Sequence, residues 1–122
     1  MKKILIVEDE VSLQKVLEEK FTSKGFTVIS AKNGEEGLKI ALEKHPDLIL
    51  LDILMPIKDG TAFMDDIRND SWGKTAKIIV LTNYSSTDIL LKITQEHPSY
   101  YLIKADTSLE TLLAKVEQLI NS

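Results

Sequence analysis

Short runs of branched apolar residues alternate along this chain with longer stretches whose apolar residues recur every three or four positions. The first pattern predicts strands near 3–7, 27–31, 48–52, 77–82 and 100–103, and the second predicts helices near 11–24, 34–45, 60–69, 86–97 and 107–120. The run Leu48-Ile49-Leu50-Leu51 has no polar alternation, which is the pattern of a central strand buried on both faces. Strands that alternate with helices in this way predict an α/β fold, a parallel sheet covered on both faces.

Local punctuation agrees. Gly25 follows the first helix as a C-cap glycine would, and His45-Pro46 closes the second. Thr107-Ser108 opens the last, with Glu110 three residues after Thr107 in the spacing of a capping box. That helix carries Leu109, Leu112, Leu113, Val116, Leu119 and Ile120 at the spacing of one buried stripe, which packs it on the sheet.

With 122 residues, short loops and no linker, one domain spanning 1–122 is expected, with no output domain. Apolar content of 43% and charged content of 28% are ordinary for a globular protein and suggest neither disorder nor a membrane class. The opening Lys2-Lys3 and Ile4 to Val7 imitate a signal peptide, but the apolar stretch stops at Glu8, too short for one. No cysteine is present, so disulfides, thiolate metal sites and thiol nucleophiles are excluded, which fits a cytoplasmic protein. A net charge of -4 with scattered lysines leaves no basic stripe for nucleic acid.

Four of the apolar runs end on residues able to do phosphoryl chemistry: Glu8-Asp9, Asp52, Thr82 and Lys104. In an open parallel sheet the carboxyl ends of the strands converge on one rim, where ligands bind. Each residue alone also has an ordinary explanation. Acidic residues precede helices as caps, strand-end aspartates serve turns, and threonine is a common strand residue. Together they differ, because Glu8, Asp9 and Asp52 in one pocket repel one another unless a cation compensates. Magnesium, with its preference for oxygen ligands and retained water, is the cation such a set fits beside a phosphate. Lys104 adds a second positive charge suited to phosphate contact.

These residues, in this order and at these separations, closely resemble the receiver domain of bacterial two-component response regulators. The resemblance runs from Ile4-Leu5-Ile6-Val7-Glu8-Asp9-Glu10 through Asp52-Ile53-Leu54-Met55-Pro56 and Asp59-Gly60 to Thr82, Tyr101 and Lys104. It implies a doubly wound, five-stranded parallel sheet in the flavodoxin-like order 2-1-3-4-5 with five helices, an order shared with a chemotaxis receiver. It also implies a phosphoryl switch and not a turnover enzyme. Asp52 would accept a phosphoryl group from a phosphohistidine on a sensor histidine kinase or phosphotransfer protein. Asp9, Asp52 and the backbone carbonyl of Leu54 would hold Mg2+ directly and Glu8 through water, with Lys104 offsetting phosphoryl charge. Thr82 would move toward the phosphoryl group and Tyr101 would swing inward. The resulting change in the face made by the fourth helix, fifth strand and last helix would control a downstream protein target or self-association.

The chain departs from the family pattern at two places. The family places proline after the lysine, often with a cis bond, where this chain has Ala105; a cis bond there would cost about 3 kcal/mol, so a trans bond and a rearranged loop are expected. Asn83 replaces a small residue after Thr82, where its side chain would narrow access to Asp52. Leu54 and Tyr84, at positions that influence hydrolysis in the family, cannot activate water, so slow self-dephosphorylation is expected. Trp72 is expected to shield the core edge, and His45 and His97 to serve helix ends without a metal role. Ile89-Leu90-Leu91 and Ile93 make the fourth helix apolar around more than one face, a candidate docking patch. The alternatives are a degenerate receiver acting as a phosphorylation-independent docking module, and an aspartyl-phosphate phosphatase. The absence of an acid two residues after Asp52 counts against the latter.

Overall fold

A computed structural model describes residues 2–52, 60–82 and 100–121. Leu54, Asn83, Tyr84, His97 and the predicted helix at 86–97, with its apolar patch, lie outside the described residues.

The five predicted strands form as β1 (Lys3–Val7), β2 (Thr27–Ala31), β3 (Leu48–Leu51), β4 (Ile78–Thr82) and β5 (Tyr100–Ile103). They make one parallel sheet in the order β2-β1-β3-β4-β5, as the resemblance implied. Helices α1 (Val11–Ser23), α2 (Gly34–Lys44) and α3 (Gly60–Asn69) and a C-terminal helix, Leu109–Ile120, account for four of the five predicted helices.

The absence of polar alternation in the central strands has its reason in two separate cores. Leu5, Val7, Ile49, Leu51, Ile78 and Val80 face Phe63, Met64 and Ile67 of α3 and Ala41 of α2. Their neighbours Ile4, Ile6, Leu48, Leu50, Ile79 and Leu81 face Leu17 and Phe21 of α1 and Leu112, Leu113, Val116 and Ile120 of the C-terminal helix. Successive strand residues point to opposite faces, so a strand sandwiched between helices has to be apolar throughout. The stripe predicted on the last helix is thus the one that packs on the sheet.

Helix ends explain how each element hands the chain to the next. Gly25 adopts φ 93° and closes α1 in a Schellman motif: its N–H donates to Thr22 O at 3.0 Å and that of Phe26 to Phe21 O at 3.2 Å. The Phe21 and Phe26 rings meet edge to face, 6.3 Å apart, supplying the apolar contact that accompanies such a cap. His45 takes the left-handed conformation at the end of α2, and its ring stacks on Trp72 at 4.5 Å. Trp72 packs on the α2 and α3 core, as a core-edge residue would.

The predicted capping box is corrected. The N-cap of the C-terminal helix is Ser108, whose Oγ accepts from the Thr111 N–H at 3.1 Å, so Glu110 occupies the second position of the helix and not the third. Thr107 instead donates its hydroxyl to Ile103 O at 2.7 Å, tying the turn back to β5.

Candidate functional site

The sheet register brings the chemistry to one rim. Val7 pairs with Leu51, so Glu8 and Asp52 leave adjacent strands side by side. The ladder runs one residue further at each, with the Glu8 N–H donating to Ala31 O and the Asp52 N–H to Val7 O, both at 3.0 Å. Thr82 ends β4 opposite Ile103, the residue before Lys104.

Glu8 and Asp52 are buried and Asp9 is exposed, and one carboxylate oxygen from each can be chosen so that all three lie within 4.8 Å of one another. The Lys104 ammonium spans the two buried members, 2.9 Å from Glu8 Oε2 and 3.3 Å from Asp52 Oδ2. Glu8 Oε1 also accepts from the Glu10 N–H at 3.2 Å. Glu10 occupies the N-cap of α1, but its side chain makes no cap bond.

Burial dominates the electrostatics of Glu8 and raises its carboxyl; the Lys104 hydrogen bond opposes that, the Asp52 charge reinforces it, and the group is pushed up to about 7. Burial pulls the Lys104 ammonium down, but the bond to Glu8 and the charges of Asp52 and Glu8 outweigh it, and it is held above the usual lysine range. The site therefore holds more negative charge than one lysine neutralises. Three convergent carboxylates with hard oxygen donors fit a small divalent cation.

Lys104 reaches this site with a trans bond to Ala105, since no cis peptide bond occurs among the described residues. Lys104–Asp106 forms a single 3-10 turn in that place. Tyr101, opposite Val80 in the register, is half-buried against the α2 and α3 core, and burial raises its hydroxyl above the usual tyrosine range.

The sequence reading missed Gln14. Its side-chain amide, one turn into α1, donates to Glu8 O and to Ala31 O, both at 3.1 Å, bridging the ends of β1 and β2 beside the acidic pair. Gln14 is half-buried in α1, a placement that only the folded structure reveals.

Residues 4–117 match the response regulator receiver domain family. The chain belongs to that family. Receiver domains are signalling modules of two-component systems, and a phosphoacceptor role is general among them. One relative, a probable transcriptional regulator ycf27 of Cyanophora paradoxa, is 41% identical over 81 residues, which are 66% of this chain and 33% of that protein. The receiver thus spans about a third of the length of such a relative. Among solved structures it is similar to the chemotaxis protein CheY4 of Vibrio cholerae, with a TM-score of 0.89, 28% identity and 98% of each chain covered. It is equally similar to the receiver domain of the sensor histidine kinase PA1611 from Pseudomonas aeruginosa, at a TM-score of 0.89, 28% identity, and 99% and 98% coverage. That structure has a magnesium ion coordinated in its active site cleft. Among the described residues of this receiver no helix is long and apolar enough to cross a membrane.

Proposed function

We propose that this receiver is a magnesium-dependent phosphoryl switch whose acceptor is Asp52. The observation that carries the reading is the Lys104 ammonium held between two buried carboxylates, beside a third, at the carboxyl rim of the sheet. A buried aspartate already paired with a cation is oriented to act as a nucleophile. An Asp52 oxygen would attack the phosphorus of a kinase phosphohistidine, forming an O–P bond as the N–P bond breaks and leaving the imidazole on the donor.

Asp9 and Asp52 would hold Mg2+ directly, with the Leu54 backbone carbonyl, and Glu8 through water; the bound ion would supply charge stabilisation to the transferring phosphoryl oxygens. The magnesium ion in the PA1611 receiver supports that assignment. Lys104 would exchange one carboxylate partner for a phosphoryl oxygen, which would keep its charge in the site throughout transfer. Thr82, at the end of β4, would donate its hydroxyl to the phosphoryl group, and Tyr101 would follow inward. That rearrangement would alter the face including β5 and the C-terminal helix, and so the binding of a downstream protein or a second copy. A cytoplasmic setting, where such kinases load their receivers, follows from this role.

Intact mass after incubation with acetyl phosphate and Mg2+ tests the reading. A gain of one phosphoryl group, absent with EDTA and in Asp52→Asn, is expected. Failure of both acetyl phosphate and a histidine kinase to load the chain would overturn it and favour a docking module.

A further inference from the structure

We propose that Gln14 is a positioning residue for the metal site, fixing the direction from which the Asp9 carboxylate meets the cation; this rests on the reading that Glu8, Asp9 and Asp52 hold Mg2+. The argument begins at the end of β1, where the chain must turn sharply into α1 while presenting two consecutive acidic side chains. The Glu8 N–H is fixed by its bond to Ala31 O at 3.0 Å. The Glu8 carbonyl is fixed from the other side by the Gln14 amide at 3.1 Å. Because a peptide unit is planar, holding the Glu8 carbonyl also holds the Asp9 N–H and the position of the Asp9 Cα, the point from which its side chain starts.

The second proton of the same amide goes to Ala31 O, again at 3.1 Å, so the clamp is anchored to the neighbouring strand and not only to the loop it holds. One NH2 group has two protons, and both are used. Asp9 is the exposed member of the carboxylate cluster, whereas burial and Lys104 immobilise Glu8 and Asp52. Its position depends most on backbone direction, and that direction passes through the bond to Gln14. Removing the donors leaves the acceptor aspartate, the lysine and the core contacts of α1 in place.

The test uses Gln14→Met, which keeps an unbranched, helix-compatible stem and removes the donors, with Gln14→Leu as a second variant. Mg2+ affinity is measured by calorimetry, beside metal-free thermal unfolding and the rate of acetyl phosphate loading at saturating Mg2+. The expected result is a dissociation constant for Mg2+ raised about tenfold, the size of effect seen when a group supporting a metal ligand is removed. The loading rate at saturating metal stays close to that of the parent, because the acceptor and Lys104 are untouched. Parent-like Mg2+ affinity in a folded variant overturns the proposal, as does a loss of metal-free stability that alone accounts for the weaker binding. Absence of Mg2+ binding by the parent chain is a separate result, which overturns the metal reading itself and this inference with it.

Discussion

Lys104 Nζ lies 2.9 Å from Glu8 Oε2, yet Glu8 still holds its proton more tightly than a free carboxylate. One ammonium divided between two buried carboxylates does not repay the desolvation of Glu8. Glu8 therefore binds a proton in the folded chain that it releases when unfolded, over the interval from 4.5 to about 7. In that interval the native state carries more protons than the unfolded one, so metal-free stability falls as pH rises. Urea unfolding in EDTA between pH 5 and 8 should show a decline of order 1–3 kcal/mol attributable to this group. Glu8→Gln should flatten that slope, and an equally steep slope in the variant would assign the effect elsewhere.

Lys104 is also the ammonium shared by the two buried carboxylates of the rim. Replacing it with methionine leaves Glu8 and Asp52 buried side by side without their shared cation, and removing one partner from a buried pair costs about 3 kcal/mol. Lys104→Met is expected to lower the unfolding free energy by that order at pH 8 in EDTA, with Mg2+ restoring part of it. Loading of Asp52 by acetyl phosphate should slow sharply even at saturating Mg2+. A variant as stable as the parent and loaded at the parental rate would remove Lys104 from both roles.

Ser108 carries the N-terminus of the C-terminal helix through its bond to the Thr111 N–H. Loss of such a cap costs about 1 kcal/mol, so Ser108→Ala should lower chemical stability by that amount. Glu110→Gln, at the position the capping-box spacing favoured, should change stability by no more than a few tenths of a kcal/mol. Equal losses in the two variants would reinstate Glu110 as part of the cap.

That pair of variants marks where sequence pattern stops being informative. Periodicity located every described strand and α-helix within two residues, because each central strand is sandwiched between helices and each α-helix buries a single stripe. Strand-end chemistry located Glu8, Asp9, Asp52 and Lys104, which the structure brings together. The strand order came from the family resemblance, since alternation alone fixes no order. Thr107 and Ser108 offer the same hydroxyl chemistry in adjacent places, and only the geometry of the turn from β5 decides which one caps. Gln14 was invisible for a related reason: its two acceptors, Glu8 and Ala31, are 6 and 17 residues away, and a glutamine at a helix start has no pattern that announces such partners.

Gly73 gives a prediction about the opposite end of the sheet. A β-carbon built there would overlap the Ile67 carbonyl oxygen, a backbone atom that cannot swing aside. The same turn is stapled by Arg68, whose Nη1 donates to Gly73 O at 2.7 Å and Ala76 O at 2.8 Å. Asp70 Oδ2 accepts from the Trp72 and Gly73 N–H groups at 3.0 and 3.2 Å, so the backbone has no slack in which to relax. Gly73→Ala is expected to destabilise the domain by about 1–3 kcal/mol, the range for overpacking that forces a backbone shift. Because this turn leads into the start of β4 and Asp52 follows the end of β3, Asp52 lies at the far end of the parallel strands. The loading rate of the folded fraction should therefore match the parent at low temperature, while urea unfolding moves to lower concentration. A variant with parental stability would show that the α3 end shifts freely, and would remove the steric account of this glycine.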